Sequence, residues 1–198
     1  AGGFGGAGDI DIDAVNVYGA DDGIYAWSAG GNLADNINVT GNVTGGDFGI
    51  NSTQIGGSGI TVTTGDGAIT GTAQDGIRVL VTGGAYSSPI SITTGSGGIT
   101  AGDDGIVAAR FGGLGGAVDV TQGSGDIVAG NLTGNYGIQA QIFDNDAYAI
   151  TVLSQGNITS GDDAIRAKTD GTGNVTVTTT ADTLLKSYFG DGIDAQSS

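Results

Sequence analysis

The chain has 198 residues, 42 of them Gly, with one Pro, one Trp and no Cys, Met or His. Five Lys plus Arg stand against 21 Asp plus Glu, a net charge of −16. These counts exclude disulfides, thiolate or imidazole metal sites and histidine catalysis, and they argue against nucleic acid as a partner, because little basic charge is present to displace its counterions. Collagen is excluded as well, since Gly does not recur at every third residue and Pro is nearly absent.

No stretch approaches the roughly 18–20 apolar residues of a membrane helix, so no membrane insertion is expected. The opening Ala1-Gly2-Gly3-Phe4 has neither the charged start nor the apolar run of a signal peptide. It also lacks an initiator Met, so the chain reads as a processed or excised segment.

Along the chain, three short apolar elements recur in fixed order. The first is an alternating pair: Ile10/Ile12, Ile37/Val39, Ile60/Val62, Ile90/Ile92, Val118/Val120, Ile150/Val152 and Val175/Val177. The second is a single residue in an Ile-Thr-like step: Val17, Val43, Ile69, Ile99, Ile127, Ile158 and Leu184. The third is a Gly-Ile or Ala-Ile step with Ile at 24, 50, 77, 106, 138, 165 and 193. Its spacings are 26, 27, 29, 32, 27 and 28 residues, so the unit is about 28 residues long and occurs seven times.

Each element is rich in Ile, Val and Thr and bounded by Gly, Asp, Asn or Ser, which is the chemistry of strands. Helix patterning is lacking, and only segment 181–189 has room for a helical turn. Equivalent strands recur one full unit apart, without the tight turns of hairpins. The expected fold is therefore all-β: one right-handed parallel β-helix, a β-solenoid, over 1–198, with three strands per turn. Seven turns at the strand spacing make a rod of roughly 34 Å. Ile and Val should line its interior, with a small residue two positions after each Gly-Ile step: Ala26, Ser52, Val79, Ala108, Ala140, Ala167 or Ala195. The Gly before each Ile is expected to supply a positive φ at a corner. Insertions after Gly83, after Gly112 and around Tyr136 should lengthen corners.

An acidic column accompanies these corners. Third before the Ile stand Asp21, Asp47, Gln74, Asp103, Asn135, Asp162 and Gly190; second before it stand Asp22, Phe48, Asp75, Asp104, Tyr136, Asp163 and Asp191. Stacked one turn apart, such charges repel by roughly 1 kcal/mol or more. Two readings follow. Asp is a good turn former; alternatively Asp21, Asp22, Asp103, Asp104, Asp162 and Asp163 offer oxygens to a hard cation, Ca²⁺. No other cofactor is expected.

The outer residues of the paired strand form a Thr-rich ladder, as in Thr61/Thr63 and Thr176/Thr178, broken by Asp119 and Leu153. A flat Thr ladder is similar to ice-binding surfaces, while Thr is also simply a favoured exposed strand residue. The five cations are Arg78, Arg110, Arg166, Lys168 and Lys186. They are few and dispersed, and no residue is singled out as catalytic.

The units Gly98-Ile99-Thr100-Ala101-Gly102-Asp103-Asp104-Gly105-Ile106-Val107-Ala108 and Asn157-Ile158-Thr159-Ser160-Gly161-Asp162-Asp163-Ala164-Ile165-Arg166-Ala167 carry a resemblance. The pattern resembles the passenger repeats of bacterial autotransporters and filamentous-haemagglutinin-like adhesins, over nearly the whole chain. That resemblance implies secretion, a β-helix stalk, and roles in adhesion, aggregation or matrix. A serine-protease segment and a following membrane barrel are not seen.

The chain opens on the paired strand and closes on Gly192-Ile193-Asp194-Ala195, one phase of the repeat. Joining Ile193 to Ile10 of a second copy takes 5 plus 10 residues, 15, against 10, 12 or 13 for the same step within the chain. The ends bearing Ile10, Ile12, Ile193 and Ala195 are thus expected to meet head to tail in a homopolymer. The functional expectation is a non-enzymatic extracellular or cell-surface filament subunit of bacterial type, with cell-surface or matrix polysaccharide as a further partner. The alternatives are a stalk fragment of an adhesin, an ice-binding protein, and a polysaccharide-active β-helix enzyme.

Overall fold

A computed structural model describes residues 9–83, 87–113 and 115–198. The Gly-rich opening Ala1–Gly8 and most of the insertion after Gly83 lie outside the described residues. Three parallel sheets of seven strands each wind into a β-solenoid of seven turns.

Sheet A stacks β1 (Ile10–Ala14), β4 (Ala34–Val39), β7 (Gly59–Thr64), β10 (Ile90–Thr93), β13 (Val118–Gln122), β16 (Ile150–Ser154) and β19 (Val175–Thr179). Sheet B stacks β2 (Val17–Gly19), β5 (Val43–Gly45), β8 (Ile69–Gly71), β11 (Ile99–Ala101), β14 (Ile127–Val128), β17 (Ile158–Ser160) and β20 (Leu185–Ser187). Sheet C stacks β3 (Ile24–Ala29), β6 (Ile50–Ile55), β9 (Ile77–Thr82), β12 (Ile106–Phe111), β15 (Ile138–Ile142), β18 (Ile165–Thr169) and β21 (Ile193–Ser197). Among the described residues no helix forms, and 181–189 contributes a turn followed by β20.

Period-two alternation puts one apolar set inside on all three sheets. Ile60, Val62, Ile69, Ile77, Val79, Ile90, Ile106 and Ala108 are all sealed from solvent in one continuous core. Fully burying each Ile is worth roughly 1.5–3 kcal/mol. The small column from Ala26 to Ala195 faces inward, as its period requires.

Three details depart from the sequence reading. In the second turn the pairing is Ile12 with Ile37 and Ile10 with Asp35, so Ile37 belongs to the second inner column and Asp35 to the first. A slip of two residues keeps every side chain on its face, which is why alternation alone does not detect it. Asp35 is completely buried, and Ser28 Oγ donates to its Oδ2 at 2.7 Å. Burial raises its pKa, and its Oδ1 has no partner. In the last turn Leu185, not Leu184, pairs with Ile158, while Leu184 points outward at 63% exposure.

The third departure concerns the corner glycines. Positive φ occurs at Gly30, Gly31, Gly56, Gly59, Gly83, Gly112, Gly113, Gly115, Gly116 and Gly134, and at none of the glycines that precede the repeating Ile. Those are required by space. A Cβ at Gly105 would lie 2.3 Å from Ile127 Cγ2 and 2.4 Å from Gly137 O, both in the next turn. The neighbouring turn therefore packs directly against the backbone there, which only Gly allows.

The interior is not apolar throughout. The last inner position of the sheet C strands carries Ser28, Gln54, Val81, Arg110, Ile142 and Thr169 in succession. Arg110 is fully buried and ion-pairs with Asp144 at 2.5 Å and Asp146 at 3.3 Å. Its Nη1 donates to Gly112 O at 3.1 Å, and its guanidinium lies over the Tyr148 ring. A buried charge needs this degree of pairing to be tolerated.

Candidate functional site

Three features on the outside and at the ends of the rod have chemical potential. The first is the acidic column. Asp104 Nα–H donates to Asp75 Oδ1 at 3.2 Å, Tyr136 Nα–H to Asp104 Oδ1 at 2.6 Å, and Asp191 Nα–H to Asp163 Oδ1 at 2.7 Å. Each carboxylate thus accepts the backbone N–H at its own position one turn later. Asn51 donates its amide to Asp22 Oδ2, and Gly134 Nα–H donates to Asp162 Oδ2. Asp21 bonds through its carbonyl to Asp47 Nα–H at 2.8 Å, and Asp103 likewise to Gly130 Nα–H at 2.7 Å.

These donors hold the column together without removing its strain. Burial, followed by the charges of Asp75 and Asp103, pushes Asp104 up to about 8 against the opposing Tyr136 N–H and Arg166. Burial pushes Asp75 up to about 6. Burial also raises Asp163, and a hydrogen bond shared with Asp21 raises Asp47. Among the described residues no three carboxylates gather into a cluster that could hold a metal ion.

Two aromatic residues interrupt this column, and each meets an arginine one turn later. Arg78 lies over the Phe48 ring at 5.2 Å, and Arg166 over the Tyr136 ring at 5.0 Å while also bonding its hydroxyl. Three of the five cations, Arg78, Arg166 and Lys168, stand on the outer face of sheet C.

The second feature is a groove of about 390 Å³ on that same face, running along β12. Its floor is Val107 and Ala109, which face outward yet are only 7% and 3% exposed. Val107 stands between Arg78 and Gln139, and Ala109 between Leu80 and Gln141. Small residues between larger ones on both flanking strands leave a trough, without any long loop. Phe111 and Phe143 close one end as stacked rings 4.6 Å apart, both solvent-exposed. Asp75, Asp103 and Asp104 line the other end.

The third feature is the pair of ends. At one end of the described residues β1, β2 and β3 each present an open edge; at the other end β19, β20 and β21 do. Ile10 and Ile12 are half-buried; Ile193 is 42% exposed and Ala195 is exposed, although both belong to the inner column. Gly192 is the counterpart of Gly105, and a Cβ there would meet nothing within 4 Å. Of the six Asp read as possible cation ligands, Asp21 and Asp22 share the first turn with Ile10 and Ile12, while Asp103, Asp104, Asp162 and Asp163 lie in inner turns.

Sequence reasoning located the column and the ends but missed the groove and the arginine–aromatic pairs. The pairs had a signal: an aromatic at a normally acidic corner, answered by Arg 30 residues later, as in Tyr136 and Arg166. Among the described residues no helix is long and apolar enough to cross a membrane. Comparison with family models, curated proteins and solved structures finds no match for the chain.

Proposed function

We propose that the protein is a structural, non-catalytic subunit of an extracellular filament, in which copies stack head to tail through their open sheet edges. The sameness of successive turns supports this reading: each offers the next the same three parallel ladders and the same inner apolar columns, so one copy can add to another as one turn adds to the next. Setting the β1–β3 turn of one copy on the β19–β21 turn of another continues three parallel ladders at once. Unpaired strand edges are templates for such addition, and a contact between unlike ends does not close.

The side chains suit the junction. Continuing the columns brings Val175 and Val177 next to Ile10 and Ile12, Leu185 next to Val17, and Ile193 next to Ile24. Outside, Thr176 and Thr178 meet Asp11 and Asp13, as Asn36 and Asn38 already do within the chain. Lys186 meets Tyr18. The Asp191 carboxylate reaches the position where it accepts the Asp22 N–H, as Asp163 accepts that of Asp191. The pairs along the strands bring no like charges together, whereas at the corner Asp191 stacks on Asp22 as Asp163 already stacks on Asp191 within the chain.

The resemblance to adhesin passengers supports a second reading, in which the added turns belong to a longer stalk. Negative-stain microscopy with sedimentation of the purified chain tests both. Filaments built from repeats of roughly 34 Å are expected. Gly192→Leu, at a site with open space, should leave single rods folded and abolish filaments by filling the junction. Short uniform rods at every concentration would sink the head-to-tail reading, and a longer native polypeptide on immunoblot would favour the stalk.

A further inference from the structure

We propose that the groove along β12 binds a neutral saccharide chain, with a sugar ring laid against Val107, Ala109 and the Phe111–Phe143 pair and its hydroxyls held by Gln139, Gln141 and the carboxyl groups of Asp75 and Asp104. The groove lies on the flank of the rod, in its third to fifth turns, so its occupation is independent of what happens at the ends.

The occupant follows from the chemistry of the walls. A sugar ring offers apolar C–H faces edged by hydroxyls that both donate and accept. The groove pairs an apolar floor and exposed stacked rings with two side-chain amides, which also donate and accept. Mixed lining of this kind, mostly apolar with a few placed polar groups, is what small-ligand sites use. Asp75 and Asp104 each have one oxygen committed to a backbone N–H of the next turn, which fixes the carboxyl groups in place. With Asp104 pushed up to about 8, its carboxyl can donate as well as accept at neutral pH. Arg78 lies over the Phe48 ring in the wall, and its guanidinium can supply N–H donors to hydroxyl oxygens.

Charged alternatives fit less well. A polyanionic saccharide meets a chain of net charge −16, with Asp103 at the mouth of the groove. A polycation meets Arg78 in the wall. An uncharged, hydroxyl-rich chain meets neither conflict.

Titration calorimetry of the full chain against cellotetraose, maltotetraose and xylotetraose tests the proposal, with tetragalacturonate and spermidine as charged probes. At least one neutral tetrasaccharide is expected to bind with submillimolar affinity. Ala109→Gln fills the trough with the side chain that Gln141 already places in the same column, and Phe111→Ser removes an exposed ring; both should weaken binding by about tenfold or more with little change in melting temperature. Because Phe111 is solvent-exposed, its variant keeps the test valid if filling the trough perturbs the fold. Absence of binding by all three neutral probes at millimolar concentration would overturn the proposal. So would preferential binding of either charged probe, or affinity unchanged in both variants. None of these outcomes depends on filament formation, so the two proposals fail separately.

Discussion

The middle of the rod and its last turn contain the same residue types in the same columns, yet those residues live in different environments. Ile77, Ile106 and Ile138 have no exposed surface, whereas Ile193 is 42% exposed. A Cβ on Gly105 would strike the next turn, whereas one on Gly192 would strike nothing. The Asp104 carboxyl is buried and bonded by the following turn, whereas Asp191 is exposed. Each turn is therefore sealed by its successor rather than by itself. Cohesion is a nearest-neighbour property along one dimension, as in other solenoids. Whatever covers the end converts it into middle.

The largest test of that contrast exchanges one inner Ile for Ala in each place. Ile106→Ala should cost about 3–4 kcal/mol, since a sealed column leaves a cavity that neighbours cannot fill. Ile193→Ala should cost only about 1 kcal/mol, because much of that side chain already meets water. Urea denaturation monitored by circular dichroism at low protein concentration measures both. Equal losses would break the contrast and show that the end is covered in solution.

A smaller difference is expected at the glycines. Gly105→Ala forces a Cβ into contact with Ile127 and the Gly137 carbonyl, at a cost of about 2 kcal/mol. Gly192→Ala should change stability by less than about 0.5 kcal/mol. Thermal melts of the two variants side by side check this. A marked destabilisation by Gly192→Ala would again mean that another turn lies against it.

The inner architecture was legible because the solenoid repeats its demands. Ile and Val at period two, separated by corners, specify three strands and their facing directions, and the repeat specifies their stacking. Register was less legible. Asp35 stands where its column has Ile10 and Ile60, so the apolar pair Ile37/Val39 draws the alignment off by two. Adjacent Leu184 and Leu185 offer two choices of equal hydrophobicity, and only the pairing with Ile158 decides between them. The role of the corner glycines was misread because crowding between turns leaves no mark on local sequence. The groove escaped for a related reason. It is a difference in side-chain size between strands about thirty residues apart, where unequal turn lengths hide which residues are neighbours.

The smallest expected effect is also the one whose sign depends on solution conditions. Asp104 is pushed up to about 8, chiefly by burial, while an unfolded Asp titrates near 4. Between those values the folded chain holds a proton that the unfolded chain has released. Folding then takes up protons, so stability falls as pH rises from about 4 to 8. Asp104→Asn removes the titration and keeps an amide oxygen for the Tyr136 N–H. The variant should therefore be more stable than the parent at pH 8, by about 1 kcal/mol or more, and nearly equal to it at pH 4. Asp75, pushed up to about 6, still titrates in the variant, so a slope should persist below that pH and flatten above it. Melts across this range check the set; a parent curve that is flat, or that rises with pH, would mean the middle turns do not bury their carboxyls as tightly as the packing implies.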